Sequence, residues 1–236
     1  MIRFTQAGFV AAFLGFLALP HSATAQQIGY PPERSPFADV PYKQSLGLFT
    51  GYYRGNRGSA GVAPGGGAAV GVRYQIRLGG PAYFAVRVTQ TFSTRMVKDP
   101  AQLDANRNLG EQPWHLLIGD LGLSINLTGQ KTYHGFIPAL NGGIGLASDM
   151  GKNPDVGGFD FGTPFAFSFG AGLRYLPGGR YEIRADLANY FAQISYPEAY
   201  RQARTGGTSL LKPTSGLSEW KLSPVLSLGI SYLYSR

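Results

Sequence analysis

The sequence predicts an all-β fold: an eight-stranded antiparallel up-and-down transmembrane β-barrel, preceded by a cleaved signal peptide. Three observations carry that expectation. Eight segments alternate apolar with polar or small residues at a period of two, the connections between them run short and long in turn, and no stretch after the leader is long and apolar enough for a membrane-crossing helix.

The elements follow in chain order. Met1 to Ala25 carries a charge at Arg3, an apolar run from Phe9 to Leu19, a breaking Pro20 and Ala23-Thr24-Ala25 before Gln26. This is the pattern of a secretory signal cut after Ala25, which implies export through the Sec pathway. Residues 26–41 hold four prolines and little periodicity, and read as a Pro-rich periplasmic lead. The barrel domain occupies 42–236, with strands expected at 42–54, 67–78, 82–95, 114–127, 133–148, 165–176, 181–193 and 222–234.

Two segments show the period best. From Ala68 to Leu78 the residues Ala68, Val70, Val72, Tyr74, Ile76 and Leu78 share one face, against Ala69, Gly71, Arg73, Gln75 and Arg77. From Phe165 to Tyr175 the apolar face is Phe165, Phe167, Phe169, Ala171, Leu173 and Tyr175. Gly79-Gly80-Pro81, Thr128 to Thr132 and Pro177-Gly178-Gly179-Arg180 are tight turns rich in turn formers. The other connections, 55–66, 96–113, 149–164 and 194–221, are long. That alternation matches barrels whose turns face the periplasm and whose loops face outward. Within the loops, Asp99 to Leu109 is expected to form a short helix started by Asp99-Pro100. Tyr196, Tyr200, Arg201, Arg204 and Trp220 make the last loop a candidate surface for an extracellular ligand.

If the apolar faces meet lipid, Arg73, Arg77, Arg87, Asp120, Arg174, Glu182, Arg184 and Asp186 point into the barrel as an interior charge network. An eight-stranded bore is just wide enough to be filled by side chains, so these groups are expected to plug it as ion pairs. Arg73 and Arg87 fall opposite one another across a short turn, and acids from Asp120, Glu182 or Asp186 are needed between them. Tyr175, Tyr181, Tyr232, Tyr234, Phe92, Phe165 and Phe191 fall near strand ends, as interfacial aromatic girdles require.

The net charge of +8 is scattered without a basic run, which argues against nucleic-acid binding. The absence of cysteine removes thiol chemistry and disulfide frameworks. Gly65-Gly66-Gly67 lacks the lysine and helix of a phosphate loop, and Asp149, Asn153, Asp155 and Asp160 miss calcium-loop spacing, so no cofactor or metal is expected. After the leader the only histidines are His115 and His134, expected at opposite ends of the barrel, so no Ser-His-acid hydrolase set is expected and the chain does not read as an enzyme.

In this pattern the chain resembles the small eight-stranded outer-membrane barrels typified by the transmembrane domain of OmpA and by OmpX. The likeness is one of architecture and covers nearly all of 42–236. It departs at the end: such barrels finish on an aromatic residue, whereas here two residues follow Tyr234 in Tyr232-Leu233-Tyr234-Ser235-Arg236. The resemblance implies a Gram-negative cell envelope and localisation in the outer membrane. It also implies contact with outer-membrane lipid and lipopolysaccharide, and delivery by the barrel assembly machinery. The expected role is structural or surface-interacting, as a monomer. The alternatives are a narrow, porin-like pore favouring anions and an outer-membrane lipid-modifying enzyme. A soluble, lipocalin-like barrel would turn the same apolar faces inward.

Overall fold

The computed structural model describes residues 35–150, 153–203 and 207–234. The expected signal peptide Met1–Ala25, most of the lead, Arg204 and the final Ser235-Arg236 lie outside the described residues.

Ten strands run along the described chain: β1 (Phe37–Asp39), β2 (Gln44–Tyr53), β3 (Gly67–Gly79), β4 (Ala82–Lys98), β5 (Asn108–Asn126), β6 (Lys131–Tyr133), β7 (Phe136–Ser148), β8 (Phe165–Tyr175), β9 (Tyr181–Ser195) and β10 (Ser218–Tyr234). Eight of them close a ring in the order β2-β3-β4-β5-β7-β8-β9-β10, with β10 returning to β2. Every pairing is antiparallel. Closure leaves the ring without an edge through its middle, so each backbone polar group there has a partner strand on both sides.

The structure differs from the sequence expectation in four places, each for a physical reason. β4 and β5 continue beyond the predicted ends as a two-stranded hairpin up to Lys98 opposite Asn108. Above Leu117, β5 has lost β7 as a neighbour. Pro113 is tolerated there because a proline without an N–H suits a strand edge.

The expected helix at 99–109 is absent. Asp99 Oδ1 accepts the Ala101 N–H at 2.8 Å, but the Asp99 N–H already bonds the Arg107 carbonyl at 3.0 Å. The hairpin tip this leaves is too short to propagate a helix.

The fifth expected strand, 133–148, is broken by His134 (φ 50°) and Gly135 (φ 82°). That left-handed turn separates β6 from β7 and frees β6 to pair with β1. Within the stretch read as the lead, Phe37–Asp39 is therefore a strand paired with β6. Finally, β10 starts at Ser218, so Trp220 is a strand residue opposite Gln193 rather than a loop residue.

Small inward residues make room for large ones. Gly122 on β5 and Gly143 on β7 stand opposite each other, and a Cβ on either would collide with backbone across the ladder. Gly122 lines a small space in the bore together with Arg73, Arg87 and Asp120.

Candidate functional site

The two faces of the ring divide by chemistry. Leu46, Leu48, Val70, Leu121, Leu140, Phe169 and Leu228 all point outward and exposed, with Leu48 at 66% and Leu226 at 62%. Arg73, Arg87, Asp120, Arg174, Glu182, Arg184 and Asp186 are all buried inside, none more than 8% exposed. Water would reward the reverse arrangement, and a hydrocarbon surrounding rewards this one. The molecule is a membrane-spanning β-barrel. The lipocalin-like alternative, which needs the apolar faces inward, is overturned by the same observation.

Within the bore the charges form three tiers. Lowest, towards the short turns, Arg174 donates Nε and Nη2 to Glu182 Oε2 at 2.8 and 2.6 Å and Nη1 to Asn126 Oδ1 at 3.1 Å. In the middle, Asp186 receives Arg73 from across the barrel at 2.5 Å and Arg184 at 2.8 Å. Arg184 also donates to Gln75 Oε1 and Asn141 Oδ1 at 2.8 and 3.0 Å, tying β9 to β3 and β7. Highest, Arg87 clamps Asp120 with two bonds of 2.9 and 3.0 Å, and the Tyr190 hydroxyl donates to the same carboxylate at 2.8 Å.

Ladder register explains why the acids are needed. Arg73 stands directly opposite Arg87, and Arg174 directly opposite Arg184. Each like-charged pair is separated only because its members turn to different carboxylates. Arg77 is brought to the rim instead: it is half-buried at the short-turn mouth and donates to the Val40 carbonyl at 3.3 Å.

Above Asp120 the bore changes character. Tyr53, Ala69, Trp114, Leu116, Ile118, Ala188, Tyr190 and Val225 form an apolar cluster inside the barrel. A second cluster, built from Ala60, Val62, Ala63, Phe159, Ile194, Tyr196, Tyr200 and Leu211, packs the loops together over it. Arg95 joins the two. Only 1% exposed, it lies 4.1 Å from the Trp114 ring centroid and 5.2 Å from that of Phe159, and its Nη2 donates to Asp155 Oδ2 at 2.8 Å. Glu219 ties the first long loop to β10 through Ser59 (2.6 Å) and Tyr196 (2.5 Å). Burial pushes the Glu219 carboxyl up, but the bonds from Ser59 and Tyr196 prevail and hold it at about 2.

Small spaces lie in the bore, one among Arg73, Arg87, Asp120 and Asn141 and one beneath the cap among Tyr53, Tyr190 and Lys221, each of about 20 Å³. Such a volume holds about one water molecule.

The aromatics expected to form girdles all lie on the outer wall or at its rims. Tyr181 packs on Tyr232 at 5.7 Å, Tyr232 on Tyr234 at 6.4 Å, and Tyr175 on Phe136 at 4.7 Å at the short-turn end. Phe165 meets Phe167 at 5.1 Å, and Phe92 meets His115 at 5.3 Å towards the loops. Trp220, which sequence reading assigned to a ligand-binding loop, stacks on Phe191 at 5.0 Å on the same wall. Tyr196 and Tyr200 are core residues of the cap, and Arg201 holds the Ser215 carbonyl at 2.9 and 2.6 Å. Tyr196 and Tyr200 are thus buried within the cap, and Trp220 is exposed on the outer wall.

Sequence reasoning missed Arg95, Tyr190, Gln75 and Asn141. Strand parity could have found them, since Arg95 follows Arg87 and Tyr190 follows Asp186 on the same face. His115 and His134 lie at opposite ends, both exposed, the second against Tyr133 at 4.6 Å.

No protein-family model and no curated protein matches this chain. Among solved structures it is similar to the neisserial surface protein NspA, at 16% identity over 85% of this chain and 98% of that one, with a TM-score of 0.43. The outer membrane protein OprG from Pseudomonas aeruginosa matches at 13% identity over 83% of this chain and 98% of that chain, with a TM-score of 0.46. A major outer membrane protein from Thermus thermophilus matches at 11% identity over 81% of this chain and 99% of that chain, with a TM-score of 0.43.

Proposed function

We propose that this is an outer-membrane barrel with a structural or surface-interaction role, its bore plugged by ion-paired side chains and its outer mouth covered by packed loops. The observation that carries the reading is the three-tier network. The buried arginines there are each engaged by a carboxylate, and the gap among Arg73, Arg87, Asp120 and Asn141 admits about one water. A plug of this kind stiffens the barrel by linking β3 to β9 and β7 to β9 across the interior. The loop face, held as one packed body, is then the surface offered to the outside.

Planar-bilayer recording tests this. A plugged barrel gives no single-channel steps. Reproducible steps selective for anions would replace this reading with the narrow pore, which the excess of four arginines over three acids in the tiers would favour. A lipid-modifying role is tested separately: overexpression should leave the acyl pattern of lipid A unchanged.

A further inference from the structure

Charge is distributed unequally between the two ends. Around the long loops, cations and acids balance among the described residues, whereas at the short-turn end Lys43, Arg77, Lys131 and Arg180 face a single acid, Asp39. That acid is highly exposed, and among the described residues its one ion pair is with Lys131, at 4.0 Å. Arg180 and Lys43 are exposed and form no ion pair among the described residues.

The wall beside them is phenolic. Arg180 Nη1 donates to the Tyr232 hydroxyl at 2.9 Å, Tyr232 lies opposite Tyr181, and the Tyr74 hydroxyl donates to Gln44 Oε1 at 3.0 Å. Register runs this row continuously around the wall from β9 through β10 and β2 to β3, since Leu46 pairs with both Tyr232 and Tyr74. Tyrosine rings of this kind settle at headgroup depth, and a guanidinium held beside them matches phosphate geometry.

We infer that the short-turn rim over β9, β10, β2 and β3 is a docking surface for the phosphate headgroups of anionic phospholipids in the leaflet it crosses, with Arg180 and Lys43 as the charged contacts. The inference rests on the membrane-spanning reading. Each cation near an anionic surface contributes about a five-fold preference over a neutral one, and salt weakens it through screening.

The test refolds the full chain into vesicles of phosphatidylcholine, with and without a minority of phosphatidylglycerol. Electron paramagnetic resonance of spin-labelled versions of both lipids then reports the lipid held at the protein surface. Phosphatidylglycerol should be enriched several-fold, and the enrichment should fall with added sodium chloride. It should vanish in the Lys43→Gln/Arg180→Gln variant and persist in Lys212→Gln at the loop end. Tyr232→Phe, which keeps the charge but loses the hydroxyl that orients Arg180, should show a partial loss. Equal partition of the two lipids, or enrichment that survives in the double variant, overturns the proposal while leaving the barrel intact. Displacement by inorganic phosphate beyond the effect of chloride at equal ionic strength overturns it too, in favour of a free-anion site. Failure to insert into either vesicle refutes the membrane reading itself.

Discussion

The lower and upper halves of the bore solve the same packing problem with opposite chemistry. Between Glu182 and Asp120 the space is filled by arginine and carboxylate, and between Leu116 and the loop cap by aromatic and aliphatic side chains. A buried charge tolerates no missing partner, while a buried hydrocarbon loses only contact and solvent exclusion. The lower half is thus the more brittle and the more directional of the two, and the upper half the more forgiving.

Substitutions can break or sharpen that contrast. The largest effect is expected from Asp186→Ala, which strands Arg73 and Arg184 together. Unfolding in urea, followed by heat-modifiable gel mobility, should show a loss of about 3–5 kcal/mol, and a smaller loss in Asp186→Asn would show that bonding without charge rescues part of it. Ile118→Ala, in the apolar half, should cost about 2–4 kcal/mol by the same assay. If it equals or exceeds Asp186→Ala, the contrast is wrong. Arg95→Met keeps the packing against Trp114 and Phe159 but gives up the charge and the Asp155 bond. It should cost about 1–3 kcal/mol and expose residues 153–164 to protease before the barrel itself opens.

The smallest effect is a pH dependence confined to the cap. The Glu219 carboxylate is held at about 2, below its ordinary value of 4.5. Its contribution is complete above that ordinary value and is lost as pH falls through about 2. Acidification across this window should loosen the first long loop in hydrogen exchange, and Glu219→Gln should remove most of that response. A loop equally protected at both ends of the window would show that Glu219 does not hold it.

The strands were legible where lipid imposes a rule. In Ala68–Leu78 and Phe165–Tyr175 every second residue must suit hydrocarbon, and the observed strands match the expected ones within about two residues. Where the chain rises out of the membrane the rule lapses, which is why the paired stretch from Met96 to Lys98 and from Asn108 to Pro113 read as loop. From Leu116 to Ile118 both faces are apolar, so parity carries no contrast and the upper core was invisible. The interior arginines were identifiable because parity gives direction. Their partners were not, because Arg73 with Asp186 and Arg184 with Gln75 meet across the barrel, a relation that local sequence does not encode. The cap was least legible, since Ala60, Phe159 and Leu211 come together from three separate loops.

The seam between β2 and β10 sets a schedule. Tyr234 pairs with Gln44 and Val225 with Tyr53, so the earliest long strand waits, unpartnered on one side, for the latest. Until β10 pairs, β2 is an open template and the carboxylates of β9 have only part of their surroundings. Completion is consequently a single terminal event, and any lesion in β10 should act on the yield of closed barrels more than on the behaviour of those that do close.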